Sequence, residues 1–157
     1  MEAFLDIETS FDGEITVLGI YRADGKIIQL VGREITRANL LASLERIVTI
    51  YTYNGSRFDL PIIREKLGID LDEYFATYDL MYDCWRKNLF GGLKKVEQIL
   101  GIERHLKDVN GWIAMELWEQ FEKEDNREAL QVLLEYNRED IINLPILMEK
   151  LGRKGGE

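Results

Sequence analysis

The stretch Phe4-Leu5-Asp6-Ile7-Glu8-Thr9 decides which fold the sequence can adopt. Its apolar residues predict a short buried strand, yet it carries two carboxylates. Because side chains alternate along a strand, Asp6 and Glu8 lie on one face, and Leu5 and Ile7 lie on the other. Two adjacent carboxylates are costly to desolvate, and each raises the pKa of the other. A divalent cation would remove that conflict, and so would solvent if the strand lay at the edge of its sheet.

The sequence that follows predicts a mixed sheet of five strands flanked by helices. The hairpin turn Asp24-Gly25 and the β-branched residues before it indicate three antiparallel strands in succession. Thr36 is a suitable N-cap for a helix, and a helical crossover makes the next strand parallel to the first. The predicted strands cover residues 3–7, 14–21, 26–31, 47–53 and 77–82.

Helical spacing dominates the second half of the sequence. Gly68 and Gly101 follow two helical segments and indicate where they end, and Pro145 is expected to start or kink a helix. The predicted helices cover residues 37–46, 58–67, 93–100, 112–121 and 126–151, the last as one helix or two. We therefore expect one α/β layered domain over residues 1–151 and a frayed tail over residues 152–157.

Length and composition favour one globular domain outside the membrane. A chain of 157 residues, 46% of them hydrophobic, can build a single core. No stretch approaches the roughly 18 uninterrupted apolar residues of a membrane helix, and the start has no signal-peptide pattern. The single cysteine, Cys84, cannot form an internal disulfide, which fits a reducing compartment. We expect a cytoplasmic protein.

The net charge of -9 argues at first against nucleic-acid binding, because phosphate binding depends on Lys and Arg. The charge is uneven, however. Residues 84–107 carry six basic and two acidic residues, whereas residues 108–140 carry three basic and ten acidic ones. One basic face, or bound metals, lets an acidic domain hold a phosphate chain. In the basic segment Trp85 and Phe90 could stack on bases, although burial in the core is the expectation for both.

A third carboxylate, Asp59, follows the run Tyr53-Asn54-Gly55-Ser56-Arg57-Phe58. This run lies where the fourth predicted strand meets a helix, and open α/β sheets build their sites at such junctions. Taken singly, Asp59 is better explained by capping, because the helix dipole favours an acidic first turn by about 0.3 to 1 kcal/mol. Asp79 and Asp83 flank the fifth strand, where one of them supports the site or both are solvated.

A fourth carboxylate, Asp140, stands four residues after Tyr136 in a helical stretch. Residues four apart share a helical face, and the apolar residues around them place that face near the core. Taken alone, Tyr136 would be a residue at the edge of the core, and Asp140 an ordinary surface charge.

These three elements, in this order, resemble the DEDD exonucleases of the ribonuclease H-like superfamily, including the proofreading domain of family B DNA polymerases. Residues 4–9 resemble the first motif of that family, residues 53–62 the second and residues 136–140 the third. Because a tyrosine stands four positions before Asp140, the chain resembles the tyrosine branch of that family, called DEDDy. His105 lies too far upstream to match the histidine branch, and we expect it in a surface loop. The resemblance implies a ribonuclease H-like fold.

The resemblance also implies a two-metal 3′–5′ exonuclease that uses Mg²⁺ or Mn²⁺. Asp6 would bridge both ions, Glu8 and Asp140 would complete the site that activates water, and Asp59 would hold the second ion. Tyr136 would orient the attacking water, since a pKa near 10 makes tyrosine a poor general base.

The expected substrate is the 3′ end of a single strand, with DNA favoured over RNA. The predicted substrate-binding residues are Thr9, Asn54, Phe58, Lys94 and Lys95, of which Asn54 contacts the strand or merely holds the turn. The alternatives are an endonuclease of the same superfamily and a catalytically silent binding or assembly module. Self-association is a further hypothesis, based on the small size of the chain and the apolar helix at residues 112–121.

Overall fold

The computed structural model describes residues 1–153 and contains one five-stranded sheet. Its strands are β1 (Glu2–Thr9), β2 (Ile15–Arg22), β3 (Ile27–Val31), β4 (Thr49–Thr52) and β5 (Ala76–Asp79). They lie in the order β3-β2-β1-β4-β5, so that β1 is central. β2 is antiparallel to β1 and β3, whereas β4 runs parallel to β1 and β5. The predicted mixed sheet is confirmed.

In the described part of the chain, six α-helices and two short 3₁₀ helices surround this sheet. The α-helices are α1 (Arg37–Ser43), α2 (Asp59–Leu67), α3 (Leu80–Arg86), α4 (Leu93–Leu100), α5 (Gly111–Glu124) and α6 (Arg127–Lys150). The 3₁₀ helices cover Gly32–Glu34 and Leu71–Glu73. Within residues 1–153, no helix is long and apolar enough to cross a membrane.

Several helix ends lie where their residues predict. The Thr36 hydroxyl accepts the N–H of Asn39 at 3.1 Å and caps α1, although α1 ends at Ser43, before the predicted residue 46. Gly68 and Gly101 follow α2 and α4 with φ of 67° and 72°. In this left-handed region glycine avoids the steric cost of a Cβ atom.

The end of the fifth strand differs from its prediction, and Pro145 does not begin a helix. The fifth strand ends at Asp79 rather than at residue 82, because the Asp79 carboxylate accepts the N–H of Met81 at 3.0 Å and so caps α3. Residues 127–150 form one helix, and Pro145 lies inside it without starting or ending it. Tertiary packing therefore outweighs the backbone hydrogen bond that proline cannot donate.

The sheet separates two apolar layers. On one side α1 and α2 pack on the β1 side chains that include Leu5 and Ile7. On the other side α3, α4 and α6 pack on Phe4, and α5 and α6 pack on Val17. Since side chains alternate along β1, Asp6 and Glu8 lie on the Phe4 side and face α6.

A glycine lets α6 approach the sheet closely. Gly19 of β2 is the strand partner of Asp6, and a Cβ atom placed on it would lie 2.2 Å from Oδ1 of Asn137 on α6. Asn137 is fully buried and donates to the backbone oxygen and to Oδ2 of Asp6, both at 3.2 Å. Its Oδ1 accepts a hydrogen bond from Gln29 of β3 at 3.0 Å. One amide therefore joins α6 to two strands.

Gly152 and Arg153, which follow α6, make defined contacts. The N–H groups of Gly152 and Arg153 donate to the carbonyls of Glu149 and Met148 at 3.0 and 3.1 Å. Arg153 also pairs with Asp83 at 3.2 Å. The two residues expected to begin the frayed tail therefore make defined contacts, and residues 154–157 of that predicted tail lie outside the described part of the chain.

We expect Gly19→Ala to destabilise the protein by about 1 to 3 kcal/mol, the usual cost of overpacking, because the new Cβ atom must displace Asn137. Gly111→Ala is the matched control, since a Cβ atom placed on Gly111 would meet no neighbouring element within 4 Å. Urea denaturation measures both variants. A Gly19→Ala variant as stable as the wild type would contradict the close packing of α6.

Candidate metal centre

Three carboxylates that are distant in the sequence meet on the α6 side of the sheet. Asp6 and Glu8 of β1 and Asp140 of α6 each offer one oxygen atom, and these atoms all lie within 4.8 Å of one another. Glu8 and Asp140 are buried, and Asp6 is partly exposed. The alternative of a solvated edge strand is wrong, because β1 is paired with β2 on one side and with β4 on the other.

The fourth predicted carboxylate lies against the same strand. Asp59 begins α2 and is 2% exposed, and its Oδ2 accepts the backbone N–H of Ile7 at 2.8 Å. The carboxylate is therefore turned toward β1 between Asp6 and Glu8, outside the group of three. Its position in the first turn fits the capping explanation, but its hydrogen bond to β1 is a tertiary contact that capping does not require.

Asp79 holds the loop that leads to Asp59. Its Oδ1 accepts the N–H of Asn54 at 2.8 Å, and its Oδ2 accepts the Ser56 hydroxyl at 2.6 Å and the Ser56 N–H at 3.2 Å. Asn54 has a φ of 61°, a left-handed conformation that a non-glycine residue adopts at a cost. Asp79 therefore supports the site rather than ending a strand in solvent, and the Asn54 backbone holds the turn.

Burial and mutual repulsion raise the pKa of four carboxyl groups, those of Asp6, Glu8, Asp59 and Asp140. Burial raises the pKa of Asp6 and of Glu8 well above the usual values, and the charge of Asp140 raises both further. Burial also raises the pKa of Asp59 to about 7 and that of Asp140 to about 6. Nearby positive charges therefore do not fully compensate these four carboxylates, and a bound cation would supply the missing charge.

Tyr136 lies on α6 one turn before Asp140 and is 8% exposed. Burial, together with the negative charges of Asp140, Glu8 and Asp6, raises the pKa of its hydroxyl above the usual value. The Lys94 ammonium lies 5.2 Å from the centre of its ring. The hydroxyl therefore stays protonated at neutral pH.

Sequence reasoning missed the buried ion pair that supports Asp140. Arg104 donates to Oδ1 of Asp140 at 2.7 Å and to both oxygens of Glu97, which is 1% exposed on α4. In the sequence Arg104 is only one charge of the basic segment. A signal was available, because Glu97 stands at helical spacing within the apolar stripe of Leu93 and Leu100, where a charge needs a partner.

The predicted substrate-binding residues lie on different elements, and of these only Lys94 has a described contact with Tyr136. Thr9 ends β1, Phe58 precedes Asp59 and is 41% exposed, and Lys94 approaches Tyr136. Lys95 is exposed on α4.

Two aromatic residues of the basic segment and the single histidine differ in exposure. Phe90 is 57% exposed in the loop between α3 and α4, so its expected burial in the core is wrong. Trp85 is half-buried against Tyr82, with ring centres 5.2 Å apart. His105 is exposed in a loop, as expected.

Comparisons with known proteins agree with this architecture. Residues 3–152 match the RNase_H_2 family of the RNase_H superfamily. The chain is 27% identical over 135 residues, 78% of its length, to the uncharacterized protein YprB of Bacillus subtilis, and it spans 32% of that relative. It is also similar in fold to the family B DNA polymerase of the hyperthermophilic archaeon Pyrobaculum calidifontis. That likeness has a TM-score of 0.72 and 17% identity, over 96% of this chain and 24% of the polymerase. The expected ribonuclease H-like fold is confirmed.

We expect the raised pKa of Asp59 to make the metal-free protein less stable as the pH rises from about 4 to 7. In this window the folded state binds more protons than the unfolded state, whose aspartates titrate near pH 3.9, so the free energy of unfolding falls with pH. Asp59→Asn removes this contribution. Denaturation in EDTA across that window should therefore give a flatter pH dependence for Asp59→Asn than for the wild type.

The exposed Asp12 provides the control for this experiment. Asp12→Asn should keep the pH dependence of the wild type, because its side chain lies outside the buried group of carboxylates. Identical slopes for the wild type and Asp59→Asn would contradict the burial of an uncompensated charge at position 59.

Proposed function

The chain belongs to the RNase H superfamily, and we propose that it is a metal-dependent 3′–5′ exonuclease acting on single-stranded nucleic acid. Membership of the superfamily supports nuclease-type activity and nucleic-acid binding. The observation that carries the finer proposal is the convergence of Asp6, Glu8 and Asp140 within 4.8 Å, with Asp59 bonded to the same strand. The tyrosine branch is proposed on the resemblance of Tyr136 and its spacing from Asp140.

The donor set fits divalent cations of the hard type. All four side chains offer carboxylate oxygens, the ligands that Mg²⁺ and Mn²⁺ prefer, and no described His or Cys joins the group of three. The raised pKa values indicate that the buried charges are undercompensated. Asp6, Glu8 and Asp140 would hold one divalent cation, and Asp59, together with Asp6, would hold a second.

The reaction is hydrolysis of the terminal phosphodiester bond. The oxygen of a water molecule attacks phosphorus, the bond from phosphorus to the 3′ oxygen breaks, and that oxygen takes up a proton. When bound, divalent cations lower the pKa of the attacking water and stabilise charge on the phosphate and the leaving oxygen. The protonated hydroxyl of Tyr136, buried beside Asp140, orients the water by hydrogen bonding.

Exposed groups around the cluster suit an unpaired strand end. Phe58, next to Asp59 in the sequence, is 41% exposed, and Thr9 continues the strand that carries Asp6 and Glu8. Lys94 and Lys95 would contact phosphates, which reconciles a negatively charged domain with a polyanion. DNA is proposed as the preferred substrate, on the resemblance of the three motifs to the proofreading domain, and RNA is the alternative.

An endonuclease and a catalytically silent module remain as alternatives, which cleavage of linear and circular strands separates. Self-association and a cytoplasmic location also stay predictions.

The chain spans about a third of the relative from Bacillus subtilis, so the activity of any longer protein that contains this domain is a proposal as well.

We expect Asp6→Ala or Asp140→Ala to reduce cleavage by about a thousandfold or more, because each removes a ligand whose ion contributes several kcal/mol to transition-state stabilisation. Tyr136→Phe should keep measurable residual activity, since it removes an orienting hydroxyl but no ligand. Single-turnover assays with Mn²⁺ measure the rates, and circular dichroism checks folding. Wild-type rates in folded Asp6→Ala would overturn the assignment.

We expect a labelled single strand to be shortened from its 3′ end, one nucleotide at a time. Strands labelled at the 5′ end should give a ladder of decreasing length, and those labelled at the 3′ end should release mononucleotide first. A closed circular single strand is the matched control and should stay intact. Cutting of the circle would indicate an endonuclease, and no cleavage of DNA or RNA with Mg²⁺ or Mn²⁺ would favour the silent module.

A further inference from the structure

A buried arginine connects the carboxylate cluster to α4. Arg104 lies in the loop between α4 and α5 and is 5% exposed. Its Nε and Nη2 atoms donate to the two oxygens of Glu97 at 2.6 and 2.9 Å, and Nη2 also donates to Oδ1 of Asp140 at 2.7 Å. The guanidinium is therefore fixed by one carboxylate while it holds another.

The far side of this arrangement is anchored as well. Asn143 donates to Oε2 of Glu97 at 3.0 Å and to the backbone oxygen of Glu103 at 3.2 Å. Asn143 and Asp140 are three residues apart on α6, so they lie on the same face of the helix. The hydrogen bonds thus form a closed path that leaves α6 at Asn143, passes through Glu97 and Arg104, and returns at Asp140.

The loop that carries Arg104 has a separate attachment to α6. The Glu139 carboxylate accepts the N–H groups of His105 and Leu106, both at 2.7 Å. The loop therefore stays attached without the Arg104 side chain. For that reason, holding the loop in place does not by itself account for a buried guanidinium at this position.

The formal charges of Glu97 and Arg104 help to decide whether this hydrogen-bond network stabilises the fold or orients Asp140. Glu97 and Arg104 cancel each other, so the pair adds a hydrogen bond to Asp140 without adding net positive charge beside a cation site. Stability alone explains such a network poorly, because replacing a buried ion pair by apolar residues of similar volume is often neutral or stabilising. A requirement to orient Asp140 explains both why the Arg104 guanidinium is buried and why Glu97 neutralises its charge.

We propose that Arg104 is a positioning residue for Asp140. Held rigidly by Glu97, it fixes one oxygen of the Asp140 carboxylate and thereby sets the orientation in which this carboxylate meets Asp6 and Glu8 around a divalent cation. The proposal rests on the proposed function, because it takes that cluster to be the metal site. Substitution of a residue that orients a metal ligand typically lowers metal affinity or activity by about 10- to 100-fold.

The test is the affinity for Mn²⁺, measured by isothermal titration calorimetry without nucleic acid. Arg104→Met keeps the length of the side chain but removes its charge and its donors. If Arg104 acted only through its charge, removing a cation 2.7 Å from Asp140 would tighten Mn²⁺ binding. Positioning predicts the opposite sign, and we expect the Kd for Mn²⁺ to rise about 10- to 100-fold.

Two further variants keep the test decisive. Arg104→Lys retains the charge but lacks the planar fork that spans two carboxylates, so it should lie between the wild type and Arg104→Met. Arg22→Met is the matched control, since Arg22 is 7% exposed, donates to the Ser43 carbonyl at 2.7 Å and pairs with Ala3 near the start of β1. This control should lose stability and bind Mn²⁺ like the wild type.

The outcomes distinguish this proposal from the nuclease proposal. Mn²⁺ binding as tight as that of the wild type, or tighter, in folded Arg104→Met overturns the positioning role even if the wild type is a nuclease. Should Arg104→Met fail to fold, wild-type affinity in Arg104→Lys overturns it instead. A wild type that binds Mn²⁺ but cleaves nothing overturns the nuclease proposal alone, and a wild type that binds no Mn²⁺ overturns both.

Discussion

The close contact between α6 and the central strand is the interaction on which the rest of the structure depends. Asn137 lies in the space left by Gly19 and bonds to Asp6, so that the face of α6 carrying Tyr136 and Asp140 lies directly over β1. Without this approach the carboxylates of β1 would face an apolar helix or solvent. With it, negative charges from two ends of the chain share one buried space.

That shared space creates an electrostatic conflict that the protein resolves only in part. The N–H of Ile7 compensates Asp59, the amide of Asn137 compensates Asp6, and Arg104 compensates Asp140. Each of these groups restrains its carboxylate through a single hydrogen bond. Glu97 neutralises Arg104, so the pair adds no net positive charge beside the cluster. Burial, and after it the charges of the neighbouring carboxylates, raise the pKa values of Asp6 and Glu8. Such a site is poorly suited to stability and well suited to a cation.

Local sequence signals predicted the presence of most helices and strands better than the residues at which they begin and end. The hairpin turn, the Thr36 cap and the glycines after α2 and α4 act through nearby backbone atoms, and each lies where it was expected. The fifth strand was predicted too long and α3 was not predicted, although the Asp79 cap acts through a nearby N–H; the hydrogen bond of Asp79 to the distant Asn54 loop is the contact that no local pattern reveals. Phe90 was expected in the core, since hydrophobicity alone does not tell which aromatic residues a loop leaves exposed.

The sequence by itself determined the strand that carries Asp6 and Glu8 on one face, the order of the strands and of every α-helix except α3, and the spacing of Tyr136 and Asp140 on a single helix. These features follow from the periodicities of strand and helix, which depend on neighbouring residues. Only the tertiary structure decided that Asp59 turns toward β1 and that Arg104, bound to Glu97, holds Asp140. The physical reason is that hydrogen bonds between distant segments depend on how helices and sheet pack in space, and no local pattern encodes that geometry.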